Sequence, residues 1–147
     1  MLDEICFVGE PEVITPKTNY RVVKFSQKVF IKIEFVSPLC TDEASITFHG
    51  CTNTVKEMTE TYNSKCHDYD DENIYNKLLC IFDIPYFPVT DEDQVDCSIC
   101  LSYRCEFNRC PIVCCDNEKC DSTFHISCLE KYLRLQKQSL KILSICI

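Results

Sequence analysis

Six soft-metal ligands fall in three spaced pairs between residues 97 and 128, and no other feature limits the fold so tightly. Cys97 and Cys100 form C-x2-C, Cys115 and Cys120 form C-x4-C fourteen residues later, and His125 and Cys128 form H-x2-C four residues after that. A C-x2-C turn places two thiolates about one metal ion, while tetrahedral zinc takes four ligands, so pairs distant in sequence have to meet. Three pairs cannot satisfy two zinc ions. A module stapled in this way needs little core of its own, so a chain of 147 residues has room for it and for a small conventional domain.

The ligand order Cys, Cys, Cys, Cys, His, Cys is that of cross-brace and treble-clef modules, in which the first and third pairs share one ion and the second and fourth share another. By this rule Cys97, Cys100, His125 and Cys128 form one complete Zn2+ site. Cys115 and Cys120 form half of a second, and the one cysteine beyond Cys128 that can serve it is Cys146. Cys105, Cys110 and Cys114 are surplus to the pattern and are substitute ligands at most. Cys6, Cys40, Cys51, Cys66 and Cys80 lack paired spacing and read as inert small side chains. His49 and His67 stand alone and read as surface residues. A nucleophilic cysteine is disfavoured, because no thiol has an activating His and Asp at a fixed offset and His125 already belongs to the metal pattern.

Composition supports metal over disulfides and divides the chain in two. Residues 1–96 hold 18 acidic against 8 basic side chains, and residues 97–147 hold 5 against 7, while nine of the 14 cysteines lie from Cys97 onward. The acidic front argues against nucleic acid as a ligand, since counterion release needs clustered positive charge. The opening "MLDEICFVGE" has two acids among its first four residues and is not a secretory signal, so the thiols are expected to stay reduced. No segment reaches the roughly 20 apolar residues of a membrane span, so no membrane is implied and a soluble intracellular protein is expected.

Patterning predicts an α+β unit before the zinc module. In "YRVVKFSQKVFIKIEFV" (Tyr20 to Val36), Ile31, Ile33 and Phe35 alternate with Lys32 and Glu34, and a polar break "SQK" separates two runs, which predicts a β-hairpin ended by Pro38. "ASITFHG" is a third strand, and "MLDEICFV" reads as a last helical turn entering a strand. Thr52 to Lys65 is polar and poorly patterned, so a loop or frayed helix is expected there. "DDENIYNKLLCIFDIP" is a helix with Asp70 or Asp71 as cap, Ile74, Leu78, Ile81 and Phe82 on one face, and Pro85 as its stop. The expected arrangement is an antiparallel meander with helices on one face.

"DCSIC", "VCCDNEKCDSTFHISCLEKYL" and "LLCIFDIPYF" closely resemble the C-terminal part of the Fanconi anaemia complementation group L family of ubiquitin ligase subunits. Cys115, Asp116, Asn117, Cys120, Phe124, His125, Cys128 and Leu129 match that family's run C-D-N-x-x-C-x-x-x-F-H-x-x-C-L. The resemblance implies an RWD-like lobe, related in shape to ubiquitin-conjugating enzymes, over residues 1–90, a linker over 91–96 and a RING-type zinc finger over 97–147. It implies that this chain is a C-terminal fragment lacking a further N-terminal domain and a first RWD lobe. The family closes its second zinc site with C-P-x-C, and here Cys146 stands for the first of those cysteines without the second.

A RING supplies no nucleophile; it holds a ubiquitin-loaded conjugating enzyme in a reactive orientation, so its contribution is positioning. The resemblance therefore implies a ubiquitin-conjugating enzyme as partner, docked on Ile99, Leu101 and Tyr132, the last standing where the family usually has tryptophan. It also implies the Fanconi core complex subunits and the paired Fanconi substrate, monoubiquitinated at DNA crosslinks, as partners in the nucleus and also the cytoplasm. Leu129 and Leu133, on one side of the helix "LEKYLRL", are expected to be packing residues. Two other classes use the same features: a PHD finger reading histone tails, disfavoured because the chain has no tryptophan and a helix-like run follows Cys128, and a scaffold without ligase activity.

Overall fold

Ile31, Ile33 and Phe35 are buried along one strand while Lys32 and Glu34 between them are not, so the period of two read in the sequence is the period of the sheet. The computed structural model describes residues 6–11, 13, 15–37, 40–69, 73–88, 94–106, 109–117 and 119–137. Four antiparallel strands, β1 (Val8–Glu10), β2 (Tyr20–Ser26), β3 (Val29–Ser37) and β4 (Cys40–His49), lie in sheet order β1-β2-β3-β4. The β2–β3 hairpin turns at Gln27 and Lys28, the expected polar break, with Lys24 opposite Phe30 and Ser26 opposite Val29. The expected third strand is the latter part of β4, whose Ile46 and Phe48 lie opposite Ile33 and Ile31. The start of β1 fits the strand expected after "MLDEICFV"; residues 1–5 lie outside the described residues.

Two helices cover one face, α1 (Thr52–Lys65) and α2 (Ile74–Phe82). Val23, Ile31, Ile33, Phe35 and Phe48 of the sheet pack there against Met58 of α1, Leu78 of α2 and Phe87. Ring contacts join the layers: Phe82 meets Phe25 at 5.3 Å and Phe48 at 5.7 Å, edge to face. Ile31, Ile33, Leu78 and Ile81 are almost wholly buried, each stabilising by about 1.5–3 kcal/mol relative to exposure.

Helix α2 confirms the expected face but starts on a different cap. Asn73, with extended backbone, accepts the Tyr75 N–H on its side chain at 3.0 Å; residues 70–72 lie outside the described residues. Its stop is Asp83, two residues before Pro85, in the left-handed conformation with φ 52°, and its N–H together with that of Ile84 takes up the last carbonyls.

The expected loop or frayed helix at Thr52 to Lys65 is a regular helix of 14 residues. Among its buried residues is Met58, so its apolar stripe is thin, and its cap comes from elsewhere in the chain. Cys51 at the N-cap makes no side-chain capping bond; instead Asp116 accepts from the Thr52 N–H at 2.7 Å.

The other face of the sheet is also covered. Val22 of β2 and Phe30 of β3 are buried there against Cys110 and Ile112 of the cysteine-rich module, with Tyr20 and Tyr103 alongside. The expected arrangement of helices on one face is present, and the cysteine-rich module lies against the opposite one. Among the described residues no helix is long and apolar enough to cross a membrane.

Candidate metal centre and the groove beside it

The module is built on a short hairpin, β5 (Val113–Cys114) and β6 (Thr123–Phe124), followed by α3 (Ile126–Lys137). The C-x2-C turn folds against β6: Ser98 N–H donates to the Thr123 carbonyl at 2.9 Å, and the Thr123 hydroxyl donates to the Asp96 carbonyl at 3.0 Å. The turn closes with Leu101 N–H on the Cys97 carbonyl at 2.8 Å, with Leu101 in the left-handed region at φ 56°. The first pair is thereby brought beside the end of β6, where His125 and then α3 begin.

Cys97, Cys100, His125 and Cys128 converge, with all four ligand atoms within 4.8 Å of one another. The Nδ1 of His125 lies 3.4 Å from the Cys100 sulfur and 3.7 Å from that of Cys128. Ideal zinc bond lengths in a tetrahedron put a nitrogen and a sulfur about 3.6 Å apart, so these edges fit an ion of that size. The other ring nitrogen, Nε2, donates to the Tyr103 carbonyl at 2.8 Å, which leaves the Nδ1 lone pair turned to the centre. This donor set of three sulfurs and one nitrogen could hold zinc.

Burial alone would push the Cys97 thiol up, but the N–H groups of Cys100, His125 and Ile99 point at it and bring it down to about 7. Burial, then the neighbouring Cys100 and Cys97 sulfurs, push Cys128 up to about 11. Of the two, Cys97 is the easier to deprotonate, and a cation held by this set would require Cys128 to give up its proton as well.

Cys115 and Cys120 do not join this centre. Each is half-buried, Cys115 N–H bonding the Ser122 carbonyl at 3.0 Å and Cys120 N–H the Asn117 carbonyl at 2.8 Å. Among the described residues no third ligand gathers with them, and Cys146 lies outside those residues. Of the surplus cysteines, Cys110 is buried against the sheet, Cys114 donates its thiol to the Lys28 carbonyl at 3.3 Å, and Cys105 is half-buried. Cys51, read as inert, faces the module and donates to the Cys115 carbonyl at 3.6 Å. His67 is exposed as expected, but His49 is half-buried, and burial followed by the Lys32 charge lowers its pKa.

Ile99 and Tyr132 line one groove of about 430 Å³, together with Arg104, Glu106, Lys131 and Leu135. Leu101 stands outside that lining and is 78% exposed at the crest of the turn. Leu135 follows Tyr132 by three residues on α3, so helical spacing from Tyr132 would have found it; Arg104, whose guanidinium donates to the Gly9 carbonyl at 3.0 Å, had no such signal. The packing expected of Leu133 is not present: it is 41% exposed, and α3 has no buried residue among those described.

Two family models match the chain, "FANCL UBC-like domain 3" over residues 1–90 and "FANCL C-terminal domain" over residues 93–146. The E3 ubiquitin-protein ligase Fancl of Drosophila melanogaster is 30% identical over 146 residues, covering 90% of this chain and 38% of that protein. The E3 ubiquitin-protein ligase FANCL of Mus musculus is 28% identical over 138 residues, covering 90% of this chain and 36% of that protein. A solved structure described as the crystal structure of FANCL superposes with a TM-score of 0.76 at 29% identity, covering 98% of this chain and 43% of the other. The chain thus spans less than half the length of these relatives. With both family models matched end to end along it, the chain belongs to the FANCL family.

Proposed function

We propose that this chain is the ligase-bearing part of an E3 ubiquitin ligase: a RING-type finger, residues 97–147, joined through 91–96 to an RWD-like lobe, residues 1–90. The observation that carries the reading is the groove that Ile99 and Tyr132 line beside the Cys97 and Cys100 turn. A ubiquitin-conjugating enzyme docks there through apolar side chains, Leu101 meets it from the crest of the turn, and Arg104, Glu106 and Lys131 supply the charged rim. Zinc at Cys97, Cys100, His125 and Cys128 supplies rigidity and no chemical step, because it fixes the Ile99 turn relative to α3. Bond making stays with the conjugating enzyme; the finger orders the loaded thioester for attack by a substrate lysine.

The lobe then recruits the substrate. By family resemblance this is the paired Fanconi protein complex in the nucleus, with other core complex subunits bound to the rest of the ligase. Both relatives are named as E3 ubiquitin-protein ligases, which supports the ligase activity.

Discharge of ubiquitin from a panel of loaded conjugating enzymes to free lysine tests the proposal. The zinc-replete chain should accelerate discharge by at least one of them, and Ile99→Ala should reduce that acceleration about tenfold or more, the loss of a central apolar anchor. Its zinc content should be unchanged. Folded, zinc-loaded protein that accelerates none of them sinks the ligase reading and leaves a scaffold.

A further inference from the structure

Arg104 belongs to the groove and touches the lobe. One wall of the groove is the segment from Ile99 to Glu106, which includes Arg104, and the other is α3. Cys100 and Cys128 join the two walls at the four-ligand cluster. Four residues beyond Cys100, the Arg104 guanidinium crosses to the sheet, its Nη1 donating to the Gly9 carbonyl of β1 at 3.0 Å.

Gly9 is a firm anchor for that bond. Its carbonyl also accepts the Cys110 thiol at 3.2 Å, and a Cβ at Gly9 would lie 3.1 Å from that sulfur, so β1 is already pressed against the module. The next residue, Glu10, accepts the Cys110 N–H at 2.7 Å. Tyr103 holds the wall from the other side. Its carbonyl accepts from His125 Nε2 at 2.8 Å, and its side chain packs against the buried cluster of Val22, Phe30, Cys110 and Ile112. The Arg104 guanidinium lies 5.7 Å from the centre of the Tyr103 ring. A planar fork set between a ring and a carbonyl keeps few rotamers, and a charged donor on a half-buried carbonyl makes a strong bond.

We propose that Arg104 is a positioning residue that straps the Ile99 wall of the groove to β1, so that the lobe sets the shape of the surface on which a conjugating enzyme docks. The effect on docking rests on the ligase reading; the strap itself does not. With the strap cut, the wall spends part of its time out of place, and apparent affinity falls by the fraction of chains whose groove is formed. Once the enzyme is docked, the geometry around its thioester is unaltered.

Hydrogen exchange and discharge kinetics on the full chain test this together. In Arg104→Ala, with no conjugating enzyme present, the Cys105 N–H, which bonds the Arg109 carbonyl at 3.2 Å, should exchange roughly fivefold faster or more, while the Leu101 N–H inside the ligand turn stays within about twofold. Unchanged exchange at Cys105 overturns the strap, whatever the discharge assay gives. In discharge, the concentration of loaded enzyme at half-maximal rate should rise roughly fivefold or more, with the maximal rate within about twofold. A fall in maximal rate at unchanged half-saturation overturns the positioning role. The rise should persist at about 0.5 M salt; one that vanishes there makes Arg104 a rim charge meeting the enzyme and overturns the proposal. An unsubstituted chain that accelerates no conjugating enzyme sinks the ligase reading, and the strap is then judged on exchange alone. Zinc content and protection of Cys6, buried in the core of the lobe, are checked first. If Arg104→Ala fails either check, Arg104→Gln takes its place under the same outcomes.

Discussion

Glu10 is an acid buried between a strand and the cysteine-rich module, 4% exposed, with its carboxylate on the Cys110 N–H. Burial raises its pKa, and the opposing Cys110 N–H, Arg109, Arg104 and His125 only partly offset that. The folded state therefore holds the proton more tightly than the unfolded chain. Stability from this group is complete below the ordinary carboxylate range and is lost as pH rises through the raised value. Glu10→Gln keeps an oxygen for the Cys110 N–H and cannot ionise. Urea unfolding across the acid to neutral range should show a flatter pH profile for the variant and equal or greater stability at neutral pH; an unchanged slope would assign the pH dependence elsewhere. Nothing around "VGEPE" signals that burial, since the partner is 100 residues away. The cluster that could hold a metal was legible for the opposite reason: C-x2-C and H-x2-C carry their geometry in local spacing, so Cys97, Cys100, His125 and Cys128 could be grouped from sequence.

Among the elements, α2 and the β2–β3 hairpin were legible because each buries its own periodic face, Leu78 and Ile81 in one and Ile31 and Ile33 in the other. Helix α1 was not, because its N-terminus is capped by Asp116 of the cysteine-rich module and its packing is concentrated on Met58. The cap of α2 is local but was placed two or three residues early, on acids instead of on Asn73. That choice can be measured. Asn73→Ala removes the acceptor for the Tyr75 N–H and should cost about 1 kcal/mol in denaturant unfolding, whereas Asn73→Asp keeps the acceptor, puts negative charge at the helix start and should be neutral or stabilising. Equal loss in both variants would mean that the amide acts through a contact other than the cap.

Across the described residues the sheet is the shared wall of two apolar clusters, one with the helices and one with the cysteine-rich module. The doublet Val22–Val23 is the trace this leaves in the sequence: adjacent residues of one strand point to opposite faces, and both are 1% exposed, so β2 is covered twice. A hairpin with one solvated face would have put a polar residue at one of them. The same holds at Phe30 and Ile31, 4% and 0% exposed. Phe30 shares its cluster with Ile112, while Phe48 lies in the other cluster, across the sheet. Phe30→Ala should cost about 3–5 kcal/mol. In a double-mutant cycle Phe30→Ala and Ile112→Ala should couple by about 0.5–3 kcal/mol, because they empty one cavity between them, whereas Phe48→Ala and Ile112→Ala should add within about 0.5 kcal/mol. Strict additivity in the first pair would mean that the cysteine-rich module and the sheet unfold independently. Coupling confined to that pair would place lobe and finger in one cooperative unit, with the back face of the sheet as the joint.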